Sequence, residues 1–271
     1  MKFAFDHLVW FHHNPEKAIQ PLLEKGIHVA HGGRHETWGT YNTLSYFDLS
    51  YIEFLGIEQL SIAEQHEENR LITQIVEQLG MKNREGPTKI AIRTDQINEL
   101  AIKLREDGHT VYGPLQGQRV TASGEVIQWT LLFIVDHPNH LSLPFFIQWE
   151  KSDKERLSAF KEQGLLGRHS GANSKFDSVG FVVRDLEETI RSWGKLLNLT
   201  PSEEFRDEVL HAQCRSLELP GTHLLFCTPL GKGPAEKVLH ERGETPFLVS
   251  LSKTNQNSFF ELLNGYWRFQ K

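Results

Sequence analysis

Few side chains in this sequence stand where they could do acid–base or metal chemistry. The first is His7, set inside the apolar run Phe3-Ala-Phe-Asp-His-Leu-Val-Trp10. Such a run reads as a buried strand, and because a strand turns alternate side chains to one face, Phe5, His7 and Val9 are expected together. The second is Glu53, in Tyr51-Ile-Glu-Phe-Leu55, whose face is shared with Tyr51 and Leu55. The third is His35, in the polar stretch Gly32-Gly-Arg-His-Glu-Thr-Trp-Gly-Thr40, which reads as a glycine-bounded loop. If the faces of His7 and Glu53 line one curled sheet, imidazole and carboxylate converge, and His35 is the best-placed third donor. Three nitrogen or oxygen ligands with an open position would suit a divalent Zn, Ni, Mn or Fe ion. Glu53 or His35 could instead serve as a general base. The same pair reads equally as an interior hydrogen bond, with Glu53 the ionic partner of His7 and no metal between them.

Around these residues stand groups suited to holding a small molecule. Arg34 and Arg119 are candidate clamps for an anionic or carbonyl-bearing ligand, and the Asn42 amide could fix one by hydrogen bonds. Trp10, Trp38, Trp129 and Trp149, with Phe133, Phe145 and Phe146, could wall a cleft, although aromatics are also ordinary core filling. The pair His12-His13 and His140 fall where chain turns and are expected in solvent. Gly231-Lys-Gly233 lacks the frame of a phosphate loop, and neither GxSxG nor HExxH occurs.

These residues need elements to position them. A strand opening into a helix recurs four times, beginning near Phe3, Thr88, Phe176 and Thr245. The first helix is expected between Asn14-Pro15 and Gly26, with strands at 41–47 and 51–57 after it. Apolar residues at helical spacing over 62–80 mark an amphipathic connector. The second unit pairs a strand at 88–93 with a helix at 95–107, a hairpin around Ala122-Ser-Gly124, and strands at 125–135 and 141–149. Residues 151–175 read as a linker carrying a helix over 154–163 and a turn at 167–173. The third unit begins at Phe176 and has strands near 212–217 and 223–228. The fourth reads as only a strand at 246–252 and a helix at 256–264, so it is cut short. The expected division is 1–150, a linker at 151–175, and a second, incomplete domain at 176–271. A truncated unit leaves sheet edge uncovered, which the first domain or a second subunit, as a homodimer, would have to cover.

The 271 residues are 39% hydrophobic, enough to bury a substantial core. A net charge of -6 without basic blocks argues against nucleic acid and anionic membranes. No apolar run approaches the roughly 20 residues of a membrane span. Cys214 and Cys227 are too few for a disulfide framework, so a cytoplasmic protein is expected, with both cysteines as small buried hydrophobes.

With these residues in view, the chain resembles the vicinal oxygen chelate superfamily and, within it, glyoxalase-like domain proteins. The resemblance is carried by Phe5-Asp-His-Leu-Val-Trp10, Gly32-Gly-Arg-His35, Trp38-Gly-Thr-Tyr-Asn42 and Tyr51-Ile-Glu-Phe-Leu55 in the first unit. In the second it is carried by Arg119, Gly124, Trp129 and Leu143-Pro-Phe-Phe-Ile-Gln-Trp149, and together these span about residues 5–150. The third unit shares only Val179-Gly-Phe-Val-Val-Arg-Asp-Leu-Glu-Glu188. The resemblance implies an α+β fold of tandem βαβββ units in curled mixed sheets, as in glyoxalases, bleomycin-resistance proteins and dioxygenases. It also implies a metal held by a histidine on a unit's first strand and a glutamate on its last, positions that His7 and Glu53 occupy. Lys89 and Ser178 stand at the histidine position of the next two units, and Phe145 and Leu225 at the glutamate position.

The resemblance implies two alternative functions. One is a divalent-metal-dependent lyase, isomerase or dioxygenase acting on a carbonyl or vicinal-oxygen substrate, with Arg34, Trp38, Asn42, Arg119, Trp129 and Phe146 holding it. The other is a small-molecule binding or sequestering protein of the resistance type, which uses the same cleft without turnover.

Overall fold

A computed structural model describes every residue except 82–83, 121–123, 137–139, 168 and 170–173. The hairpin around Ala122 and the turn at 167–173 therefore lie largely outside the described residues. In chain order the first unit is β1 (Phe3–Phe11), α1 (Ile19–Glu24), β2 (Ala30–His35), β3 (Thr40–Phe47) and β4 (Ser50–Ile57). The connector holds α2 (Leu60–Ala63) and α3 (Arg70–Leu79). The second unit is β5 (Gly86–Thr94), α4 (Ile97–Glu106), β6 (Val111–Val120), β7 (Val126–Ile134) and β8 (Phe145–Trp149). After α5 (Asp153–Glu162) come β9 (Lys175–Val182), α6 (Leu186–Leu197), β10 (Phe205–Asp207), β11 (Ala212–Leu219) and β12 (Thr222–Pro229). The chain ends with α7 (Pro234–Arg242), β13 (Thr245–Ser252), β14 (Ser258–Leu262) and β15 (Gly265–Phe269).

The first two units close into an eight-stranded barrel in the order β1-β4-β3-β2-β6-β7-β8-β5. The second sheet has the order β10-β11-β12-β9-β13-β15-β14. That is the barrel's order with one strand, the counterpart of β6, missing, so the second sheet stays open.

The fourth unit departs from the expected helix at 256–264. Those residues form the hairpin β14–β15, in which Leu262 pairs with Gly265. Leu263 and Asn264 both have positive φ, 55° and 61°, as a two-residue hairpin turn requires. What the unit lacks is its helix and one strand. Residues 32–35 likewise belong to a strand, β2, and not to the expected loop.

Strand registers relate the units residue by residue. β1 runs parallel to β4 with Val9 opposite Glu53, β5 parallel to β8 with Ala91 opposite Phe145, and β9 parallel to β12 with Gly180 opposite Leu225. Two residues earlier on each first strand stand His7, Lys89 and Ser178. The His–Glu pair is therefore present in the first unit and in neither of the next two. Lys89 is buried and bonds Asp136 through Nζ at 2.6 Å.

One apolar cluster runs from Phe5, Leu8 and Trp10 on the outside of the barrel to Val249, Trp267 and Phe269 in the second sheet. The Trp10 and Trp267 rings stack at 5.2 Å, and Trp10 Nε1 donates to the Leu263 carbonyl at 2.9 Å. The C-terminal half thus packs on the first, one of the two coverings expected for the truncated unit. A second cluster fills the barrel, joining Val9, Phe11, Leu55, Ala91, Trp129 and Phe145 to Leu71 and Ile75 of α3. In the open sheet, Ala235 and Val238 of α7 fill the concave face instead.

Candidate active site

The barrel interior opens into a cavity with an empty volume of about 1090 Å³, its open mouth included. Its walls are set by strand alternation. β3 turns Thr40, Asn42, Leu44 and Tyr46 inward, and β4 turns Tyr51, Glu53 and Leu55 inward. From the second unit come Arg119, Trp129, Phe145 and Trp149, and α5 adds Arg156 and Phe160.

β1 supplies His7, and here the expected alternation fails. A register shift between Phe5 and His7 marks a β-bulge, a place where an extra residue re-aims side chains. Phe5 consequently packs in the outer cluster against Phe176, apart from His7. Asp6 and His7 meet side chain to side chain, with Oδ1 and Nδ1 2.8 Å apart. The other oxygen of Asp6, Oδ2, accepts from Trp149 Nε1 at 2.9 Å and from Arg156 Nη1 at 3.3 Å. Burial is the largest influence on this carboxyl and opposes its ionisation. Arg156, the His7 hydrogen bond and charge, and Arg93 outweigh it and hold the Asp6 carboxyl well below the usual carboxylate range.

On the opposite side of the ring, His7 Nε2 lies 3.5 Å from Glu53 Oε2. Glu53 Oε1 accepts from Asn42 Nδ2 at 2.5 Å, and Asn42 Oδ1 accepts from the Gly33 amide at 3.0 Å. The ring itself lies between Tyr51, stacked at 4.6 Å, and the edge of Phe145 at 5.6 Å. Imidazole and carboxylate do converge, then, each fixed by a further partner.

Because β2 is a strand, His35 and Arg34 point to opposite faces. His35 turns inward, buried, with Nδ1 2.8 Å from Thr40 Oγ1 and its ring against Trp38 and Trp129. Burial, with Arg119 and His7 adding to it and Glu53 opposing, pulls its pKa down to about 4. Arg34 turns outward and bonds Glu58, with Nε 2.8 Å from Oε1, so it does not line the cavity. Phe146 likewise lies outside the barrel, against Phe3 in the outer cluster, because the inward side of β8 belongs to Phe145, Ile147 and Trp149. Trp38, Asn42, Arg119 and Trp129 all reach the cavity. Burial pushes the phenols of Tyr46 and Tyr51 upward from their ordinary values, so both are hydroxyl donors at neutral pH.

Asp6, Arg156 and Tyr46 belong to the site, although no sequence pattern singles them out, and Tyr51 joins it on the strand face that alternation gives it with Glu53. Only the spacing of Arg156 and Phe160, one helical turn apart on α5, hints that this helix has a buried face.

The fit of a metal can be judged from the donor set. His7 Nε2 and Glu53 Oε2 supply two converging donors, and the equivalent positions of the second unit hold Lys89 and Phe145, which supply none. Among the described residues, no three His, Cys, Asp or Glu side chains are grouped so as to hold a metal ion. The described residues do not complete a three-ligand site.

Residues 5–197 match the family described as Glyoxalase-like domain. The chain belongs to the glyoxalase-like domain family. It is thereby a member of the vicinal oxygen chelate superfamily, and its curled mixed sheets are that fold. A solved structure of a hypothetical protein from Staphylococcus aureus is similar over 99% of this chain and 100% of its own, with 21% identity and a TM-score of 0.79. A variant of 4-hydroxymandelate synthase from Streptomyces coelicolor is similar over 93% of this chain and 71% of its own, with 12% identity and a TM-score of 0.55. At these identities the likeness is one of fold. No curated protein matches the glyoxalase-like chain in sequence. Among the described residues no helix is long and apolar enough to cross a membrane.

Proposed function

We propose that the barrel binds a small, largely flat organic molecule bearing a carbonyl or adjacent oxygens, and that His7 and Glu53 move a proton on it. The observation that carries this reading is the placement of His7 between two carboxylates, Asp6 at 2.8 Å and Glu53 at 3.5 Å, in an aromatic-walled cavity. Asp6, held ionised, accepts the Nδ1 proton and leaves Nε2 as the nitrogen facing the cleft. Glu53 is oriented by Asn42, so both proton-transfer groups are fixed before any ligand enters. Arg119 and the Tyr46 hydroxyl stand on the same cavity and suit an oxygen that gains negative charge as a neighbouring carbon loses its proton. Trp38, Trp129 and Trp149 suit the flat body of the ligand. Isomerase and lyase steps that begin with proton loss next to a carbonyl fit this arrangement. Because the donor set is incomplete, no step is routed through a metal.

A second reading, binding without turnover, is favoured by one specific observation. The second unit places Lys89 and Phe145 at the counterparts of His7 and Glu53, so half of the family's paired donors are missing.

Deuterium exchange measured by NMR separates the two. A panel of 2-oxo acids and hydroxyketones is first screened for binding by quenching of tryptophan fluorescence. The proposal expects the wild-type protein to exchange the carbon-bound proton of a compound it binds, and His7→Gln and Glu53→Gln to lose exchange while keeping the quench. Binding with no exchange by the wild type would overturn it in favour of sequestration.

A further inference from the structure

We propose a second binding site, for an oxyanion of the phosphate type, at the seam between the barrel and the open sheet. A cavity there, with an empty volume of about 500 Å³, is lined by Gln74 and Gln78 of α3, Thr88 of β5, Arg84, Arg242 of α7 and Thr245 of β13. No apolar side chain is among its described lining residues. Its walls come from both halves of the molecule.

The charges are what call for a ligand. Arg84 and Arg242 share this cavity, and among the described residues their hydrogen bonds run to carbonyl oxygens alone: Arg84 Nη1 to Arg242 O at 2.9 Å, and Arg242 to Asn264 O and Pro87 O. Among the described residues neither guanidinium makes an ion pair with a carboxylate. Glu244 also lines the cavity, but its oxygens accept the backbone N–H groups of Leu141 and Arg184 at 2.6 and 2.7 Å, and Arg184 Nη1 lies 3.8 Å away. Arg84 and Arg242 are each half-buried, and two cations sharing a partly desolvated cavity repel one another unless an anion lies between them. Burial and then the charge of Arg84 pull the Arg242 pKa down to about 10, with the charge of Glu241 opposing them. The site is also shaped for this arginine. Gly86 has a φ of +130°, and a Cβ there would come within 2.8 Å of Arg242 Nη1.

The amides add donors. Gln74 and Gln78 lie one turn apart on the same face of α3, and the buried Oε1 of each has no hydrogen-bond partner among the described residues. Turning either amide over costs no existing bond to that oxygen and presents its NH₂ to the cavity. Two guanidinium forks and two amides are a donor set that a tetrahedral oxyanion takes, while the Thr88 and Thr245 hydroxyls already donate to the Gly86 and Pro87 carbonyls at 2.9 and 3.3 Å.

The test is thermal unfolding of the full chain in a low-anion buffer, titrated with inorganic phosphate, sulfate or a simple phosphomonoester against sodium chloride at matched ionic strength. The site predicts a saturable rise in Tm with an oxyanion that chloride does not reproduce. If inorganic phosphate acts, the free ion suffices; if only the phosphomonoester acts, the phosphoryl group is recognised as part of a metabolite. Arg84→Gln should abolish the rise. Gln78→Glu should abolish it too while raising Tm in the anion-free buffer, since its carboxylate would take the anion's place. Absence of an anion-specific rise, or a rise that survives both substitutions, would overturn the proposal.

Discussion

Asp6 and His7 are consecutive on a strand, yet their side chains hydrogen-bond to each other at 2.8 Å. A regular pleat would send them to opposite faces, and the bulge between Phe5 and His7 is what brings them to one. The device puts an ionised carboxylate behind the imidazole without taking a position on any neighbouring strand. It also makes Asp6 a junction, because the same buried carboxylate receives Trp149 and Arg156.

The first prediction concerns that junction. Asp6→Asn takes away the buried counter-charge of Arg156 and leaves it only the exposed Asp153, 3.5 Å away, so it should cost on the order of 3 kcal/mol, measured by urea unfolding. The decisive reading is a double-mutant cycle with Arg156→Met. If Asp6 is the partner of Arg156, the second substitution should cost at least about 1 kcal/mol less in the Asp6→Asn background than alone. Additive effects would mean that the two residues are not coupled.

The second prediction is a pH dependence. His35 is held neutral when folded, with a pKa of about 4, whereas unfolded it would titrate near its ordinary value of 6.5. Below 6.5 the unfolded chain binds the proton more readily, so stability should fall as pH falls from about 6.5 towards 4 and then level off for this group. The shift corresponds to roughly 3 kcal/mol. His35→Gln keeps a polar partner for Thr40 and should flatten the unfolding free energy over that window. A variant with the wild-type slope would assign the acid sensitivity to another group.

How much of this site can be read from the chain turns on local geometry. His7 and Glu53 are legible because strand alternation and the first-strand, last-strand pattern point to the same two residues. Asp6 is not, since the bulge that redirects it leaves no mark in composition. Arg34 and His35 both look like ligand contacts while their stretch reads as a loop; once it is a strand, the two must part, one to solvent and one to the interior. Phe145 and Phe146 part for the same reason. Helix α5 reads as part of a linker because its surface is charged, and nothing local says that Arg156 reaches across to β1. The last hairpin passes for a helix over 256–264, although Asn264-Gly265 is a turn signal that outweighs apolar spacing in so short a segment. The four-unit architecture is legible despite these departures because each unit repeats its opening strand.

The third prediction concerns Gly32. A Cβ at this position would stand 1.9 Å from Asn42 Oδ1, inside any allowed contact. Asn42 must then move, and it is the residue that orients Glu53. Gly32→Ala should therefore cost about 1–3 kcal/mol in stability and weaken ligand quenching in the cleft, although residue 32 does not line it. Gly32→Ala combined with Asn42→Ala should recover part of the stability lost to the clash, since the Asn42 backbone oxygen at 2.9 Å remains, and should not recover the binding. Full binding in the double variant would show that Asn42 has no part in preparing the site.

The fourth prediction concerns how the halves hold together. Trp10 is fully buried, stacked on Trp267 and bonded to the Leu263 carbonyl, and the cluster it belongs to is continuous across both sheets. Continuity of that kind should make the wild-type chain unfold in one transition, with circular dichroism and tryptophan fluorescence superimposing. Trp10→Ala removes the ring at the centre of the seam and should cost about 3–5 kcal/mol. The barrel closes on itself, whereas the open sheet depends on this contact to cover its outer face. The loss should therefore fall on residues 176–271 first and split the transition into two, the earlier one reported by Trp193 and Trp267. A single transition displaced as a whole would instead mean that the barrel depends on the open sheet as much as the sheet depends on the barrel.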